Sequence, residues 1–254
     1  MAAMLFASSG CATTMVSLRD GPREYVATDY EQVLDTWTRT ENLITLAQLD
    51  NLLTATATFE SWDFRWAYVV RYVEDYRLNL DQRKKLLDQT LDETKTSHHF
   101  FVAITGGRRR HNDLTKPDSA WIVRLIDSEG NETVPAEIVA VKRPNAVERT
   151  YFPYLTPFHQ VFRIRFPAAK SDGRPAISPR AEWFGLRFAG AQGNSELVWA
   201  LDRDEEDAVY TPSLSAEADT TPTSSGSAIT EPVSAAASLD VGGQAVSPDR
   251  KSVV

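Results

Sequence analysis

The chain has 254 residues and a formal net charge of −8. Residues 202–254 hold ten acids against three bases, a net of −7, so everything before them is nearly neutral at −1. That balance argues against a nucleic-acid partner, which needs a surplus of Lys and Arg on one surface. Apolar content of 42% with 10% aromatics excludes a wholly disordered chain, and a single cysteine excludes an intramolecular disulfide.

The cysteine, Cys11, follows an apolar run, Met1 to Ala7, and then Ser8, Ser9 and Gly10. This resembles a bacterial lipoprotein signal ending in a lipobox, in which small residues precede a cysteine that becomes the lipidated N-terminus. Ser9 and Gly10 suit the two positions before the cysteine, whereas Ser8 stands where Leu is usual. The basic start of such a signal is missing and the apolar run is short, so residues 1–10 read as a truncated signal segment. The resemblance implies lipidation of Cys11 and a membrane partner held through acyl chains, and Ala12 in place of Asp is compatible with outer-membrane sorting. Residues 11–23 are then expected to be a tether between bilayer and folded body. No stretch approaches the ~18 consecutive apolar residues of a membrane-spanning helix.

The next segment, 24–97, reads as a helical subdomain. Tyr30, Val33, Leu34 and Trp37 lie on one helical face behind Thr28 or Asp29 as cap. Leu43, Leu46, Leu49 and Leu53 suggest a second helix, followed by the Thr-rich 54–58, which suits extended chain as well. Trp62, Trp66, Val69, Val73, Tyr76 and Leu80 form a stripe that predicts a long third helix. A fourth begins near Asp81, with Leu87 and Leu91 inward and Arg83, Lys84, Lys85, Asp88 and Asp92 outward.

The period changes at His98, and 98–203 reads as an antiparallel β-sandwich-like domain, making the fold class α+β. Residues 100–104 form a strand ended by Gly106-Gly107. Residues 121–126 and 136–141 flank a hairpin signal at 127–132. Residues 160–166 alternate, with Arg163 and Arg165 opposite the apolar face. Residues 183–188 and 197–201 flank a second hairpin signal at 190–194, and no helix is expected between these strands. Residues 204–254, with no aromatic beyond Tyr210, are expected to be a disordered acidic tail.

Chemistry-bearing patterns are few. His98, His99, His111 and His159 have no metal-ligand spacing, no nucleophile elbow or phosphate loop is present, and no cofactor is expected. The carboxylate pairs Glu74-Asp75 and Asp92-Glu93 read as solvated helix faces. Arg108, Arg109 and Arg110 form a basic cluster suited to an anionic surface ligand, or to this protein's own acids. Residues 24–97 carry −6 and 98–201 carry +4, so the two parts can dock on each other. Tyr151, Phe152, Tyr154 and Phe158 form a proline-punctuated aromatic loop, either a plug of the sandwich or a binding loop. The expected function is a non-enzymatic binding or assembly role in the cell envelope, with an envelope protein or anionic surface ligand as partner. The alternatives are an envelope hydrolase acting on glycan or lipid, and a soluble cytosolic interaction protein.

Overall fold

The computed structural model describes residues 14–45, 50–107 and 109–202, with Thr45, Asp50, Arg109 and Arg110 described by their backbone alone. Cys11, Arg108 and the expected tail lie outside the described residues. In chain order the elements are β1 (Met15–Val16), α1 (Tyr30–Trp37), β2 (Thr38–Thr45), β3 (Asp50–Phe59), α2 (Trp62–Asp75), α3 (Leu80–Thr96) and β4 (Ser97–Thr105). There follow β5 (Ile122–Asp127), β6 (Glu132–Thr133), β7 (Glu137–Val141), α4 (Ala146–Tyr151), β8 (Gln160–Pro167), β9 (Trp183–Gly190) and β10 (Gly193–Leu201). The fold is α+β, with the helices set beside two five-stranded sheets, ordered β1-β10-β9-β5-β6 and β2-β3-β4-β8-β7. Every pairing is antiparallel except that of β1 with β10.

Aromatic side chains fill the space between the sheets. Phe59 meets Phe100 at 4.8 Å and Phe184 at 5.0 Å between ring centroids, and Phe184 stacks on Trp199 at 5.4 Å. The Trp199 indole also donates to the Trp37 carbonyl at 3.0 Å, satisfying the polar atom of a fully buried ring. Alternation along β8 is as the sequence predicts: Phe162, Ile164 and Phe166 are buried between the sheets, and Arg163 and Arg165 point to the helical side.

The predicted helix over Leu43–Leu53 is instead the β2–β3 hairpin, with Leu43 opposite Leu53. Leu46 and Leu49 lie outside the described residues. The reason is visible in the cross-strand pairs. Thr38 meets Thr58 at 2.7 Å, Thr40 meets Thr56 at 2.9 Å and Thr54 donates to Asn42 at 2.7 Å, a hydroxyl ladder available only to extended chain. β-branched threonines fit that pleated surface better than a helix.

The stripe predicted for the third helix is also corrected. α2 ends at Asp75, and Arg77 adopts a positive φ of 53° before α3 begins. Of the six stripe residues only Val69 is buried; Tyr76 is 48% and Leu80 81% exposed. The buried face is the neighbouring one, Phe64, Tyr68 and Tyr72 at intervals of four, with Arg65 beside them. A stripe of large apolar residues is ambiguous when a second aromatic stripe runs next to it. Contact with the second sheet decides for the Phe/Tyr face, where Phe64 packs near Phe152 and Phe152 stacks on Phe101 at 4.1 Å.

Two strand expectations change as well. Residues 137–141 do not return beside β5; after Pro135 the chain crosses to the other sheet, where β7 pairs with β8. Only Glu132 and Thr133 complete the hairpin with β5. The six-residue α4 interrupts the strands, set by an Asn145–Glu148 capping box. The second hairpin forms as expected, with Gly190 opposite Gly193.

Candidate functional site

Residues 14–26 run along the body as a strap, so the expected tether is built into the fold from Thr14 onward. β1 adds to the free edge of β10, with Met15 opposite Ala200 and Val16 opposite Leu201. The Asp202 amide extends the ladder by donating to the Val16 carbonyl at 2.9 Å. Arg39 fixes the same corner. Its guanidinium donates to the carbonyls of Thr14 at 3.1 Å and Val198 at 3.0 Å, and to those of Thr36 and Thr38 at 2.8 Å each. It also lies 5.8 Å from the centroid of the Trp199 ring.

Farther along, Asp63 gathers the strap onto α2. Its carboxylate accepts from Arg23 Nε at 2.9 Å, Tyr25 Oη at 2.6 Å and Trp37 Nε1 at 2.9 Å. Asp63 sits in the first turn of α2, where a negative charge is favoured by the unpaired helix amides. Trp62 adds a bond from its indole to the Gly21 carbonyl at 2.7 Å. Burial raises the pKa of Asp20 above the usual carboxylate value, against the opposing pull of Lys95 and Arg23.

A second cluster lies where α2, α3 and α4 meet the outer face of the second sheet. Arg65, sealed from solvent, pairs with Glu60 at 3.1 Å and Glu93 at 2.7 Å, and also donates to the Glu60 and Thr90 carbonyls. Arg163 of β8 approaches the other oxygen of Glu60 at 3.6 Å and pairs with Glu148 at 2.9 Å. Its guanidinium stands 4.9 Å from the Phe101 ring centroid. Charges therefore alternate through this seam, and Arg163 of β8 links Glu60, just before α2, to Glu148 of α4. Glu60, Asp63 and Arg65 were not singled out by sequence patterning. The available signal was the stretch Glu60-Ser61-Trp62-Asp63-Phe64-Arg65, with a Ser61 cap that accepts from the Phe64 amide at 3.0 Å.

The aromatic loop divides. Tyr151 and Phe152 are buried, Tyr154 is half-buried with its hydroxyl 2.9 Å from that of Thr58, and Phe158 alone is 80% exposed. Tyr151 donates to Asp75 at 2.8 Å and receives the Tyr30 hydroxyl on its carbonyl at 2.7 Å. The loop thus serves mainly as a lid on the outer face of the second sheet. In the basic loop, Arg109 and Arg110 belong to a single 3-10 turn, Arg109–Asn112. Buried Asn112 holds that turn by donating to the Gly106 carbonyl and accepting from Trp121 Nε1 at 3.1 Å. Gly106 has a φ of +110°, and a Cβ there would meet the Leu52 carbonyl oxygen at 2.9 Å, so the turn is specific to glycine.

The histidines do not converge. His98 points between the sheets, 5.9 Å from Phe59, and burial lowers its pKa to about 4. His99 points to the helical side, where burial first, then the guanidinium groups of Arg65 and Arg165, lower its pKa to about 3. His159 takes the Thr156 amide on Nδ1 at 2.9 Å. Among the described residues no group of three or more His, Cys, Asp or Glu is placed to hold a metal ion. The adjacent carboxylates turn to different partners: Asp75 pairs with Arg71, Asp92 with Lys95 and Glu93 with Arg65. No helix among the described residues is long and apolar enough to cross a membrane.

No protein-family model matches the chain, and no curated protein matches it. Among solved structures, the chain is similar to a novel protein of unknown function from Burkholderia pseudomallei K96243. The two share 14% identity over 76% of this chain and 92% of that one, with a TM-score of 0.33.

Proposed function

We propose that this protein is a lipid-anchored lipoprotein of the bacterial cell envelope, whose folded body has a binding or assembly role rather than a catalytic one. One observation carries the reading furthest. The lipobox-like segment ending at Cys11 is followed, after only two residues, by a strap fastened to the body at β10, Arg39 and Asp63. Acyl chains on Cys11 would be coupled closely to the fold instead of trailing on a long linker. Several chains, at about 0.8 kcal/mol per buried methylene, give a firm anchor. Ala12 fits outer-membrane sorting.

The test is fractionation of the full chain expressed in a Gram-negative host, with intact-mass measurement of the mature N-terminus. The wild type is expected in the membrane fraction with an acylated Cys11 at its start, and Cys11→Ser in the soluble fraction. Identical fractionation of the two proteins, or an unmodified Cys11, would sink the reading.

A further inference from the structure

The outer face of the first sheet, opposite the aromatic core, is organised in cross-strand rows. Met15, Ala200 and Trp183 form one row, and Val198, Gly185 and Ile126 the next. Both rows are apolar. The third row, Glu196, Arg187 and Arg124, is charged, and Arg187 is tied to Glu196 at 2.7 Å and to Glu132. The outer face of the second sheet is covered by aromatic residues of α2 and the 151–154 segment. Among the described residues no helix plays that part for the first sheet. Met15 is 54% exposed, Trp183, Val198 and Ala200 are half-buried, and Gly185 and Ile126 are buried.

The position of Cys11 selects what meets this face. Cys11 lies four residues before Met15. Even fully extended, that segment reaches only about 14 Å at ~3.3–3.6 Å per residue. The headgroup layer on each side of a bilayer is roughly 5–8 Å thick, half the difference between its ~40–45 Å full thickness and ~30 Å core. A body fastened at Met15 is therefore held within about 6–9 Å of the headgroup surface of a membrane that holds acyl chains on Cys11. The apolar surface beside Met15 on this face is formed by Ala200, Trp183 and Val198. Its one indole, Trp183, is the side-chain type enriched at the membrane–water boundary. The paired charges of the third row give no net basic field, so the contact does not require anionic lipid.

We propose that the Met15–Trp183–Val198–Ala200 patch of the first sheet rests on the headgroup layer of the bilayer, an inference that builds on the lipid anchor at Cys11. The experiment uses the full lipidated chain, reconstituted into phosphatidylcholine vesicles with brominated acyl chains, which quench nearby indoles. The wild type is expected to float with the vesicles and show quenching. Trp183→Phe should float equally but lose most of the quenchable signal. Val198→Glu should float while quenching of Trp183 weakens. Equal quenching in wild type and Trp183→Phe overturns the proposal with the anchor intact, as does flotation of the wild type without quenching. Pairwise cross-linking of Met15→Cys copies without quenching would assign the face to a second copy and overturn it too. Absence of acylation or flotation in the wild type defeats the anchor itself, a result separable by mass from failure of the patch alone.

Discussion

The Arg65 guanidinium meets the Glu60 carboxylate at 3.1 Å with both side chains shut away from water, one from a helix and the other from the turn that starts it. Neither group tolerates that burial alone. Arg65 spends its donors on Glu60, Glu93 and two carbonyls, and Arg163 covers the remaining side of Glu60. Removing one partner leaves an uncompensated buried charge, at a cost of about 3–5 kcal/mol. Arg65→Ala is therefore expected to lower the urea midpoint of unfolding severely. Arg65→Lys should not rescue it, because a single ammonium cannot reach the same fork of acceptors.

The strap makes a separate prediction. Asp63→Ala removes the acceptor shared by Arg23, Tyr25 and Trp37, and hydrogen bonds to a charged group contribute about 1.5–3 kcal/mol each, net of exchange with water. Trypsin should then cut faster after Arg19 and Arg23, and amides of residues 14–26 should exchange sooner, while protection of β4 and β8 is retained. Unchanged proteolysis would show that the β1–β10 pairing holds the strap without Asp63.

Stability should fall on mild acidification. His98 and His99 titrate near 4 and 3 in the fold, below the ~6.5 of an unfolded chain. Between those values the unfolded state binds more protons, so stability rises with pH there. The contribution is complete above about pH 6.5 and is lost progressively as pH falls toward 4 and then 3. Unfolding free energies measured by urea titration from pH 7.5 to 4.5 should decline, and His99→Gln should flatten part of the slope. An identical pH profile in wild type and His99→Gln would exclude this role for His99.

Within the aromatic loop, Phe152 and Phe158 should behave oppositely. Phe152 is buried against Phe101 and Phe64, and its replacement by Ala should cost about 3–5 kcal/mol. Phe158 is 80% exposed, and Phe158→Ser should leave the thermal midpoint almost unchanged. Thermal unfolding of the two variants checks both statements.

Gly185 offers a steric test on the outer face of the first sheet. A Cβ there would lie 2.5 Å from the Leu197 carbonyl oxygen of the neighbouring strand, and backbone has little room to yield. Gly185→Ala is expected to destabilise by about 1–3 kcal/mol through overpacking, measurable as a lower urea midpoint.

Much of the fold is legible in one dimension, and the misreadings share a cause. Strands with a buried and an open face, such as β8, announce themselves by alternation. The β2–β3 hairpin did not, because its leucines also fit a helical spacing and its threonine ladder becomes informative only once two strands are aligned. α2 carries two adjacent apolar stripes, and which is inside depends on the sheet beneath. The charge arithmetic divided the chain at residue 97 into an acidic and a basic part, yet β2 and β3 of the first share one sheet with β4 and β8 of the second, so the two are not separate docking bodies. Asp63 escaped notice because its three donors lie on the strap and α1, brought together only by the tertiary fold.

The parallel pairing of β1 with β10 also has a temporal meaning. The strand that receives Met15 and Val16 is the last element of the described body, and Arg39, which grips Thr14, bonds to a carbonyl 159 residues away. During synthesis Met15 and Val16 have no docking edge until nearly the whole body has emerged. They stay available to any machinery that must seize or modify the segment first, and the β1 end of the strap closes only once β10 is in place.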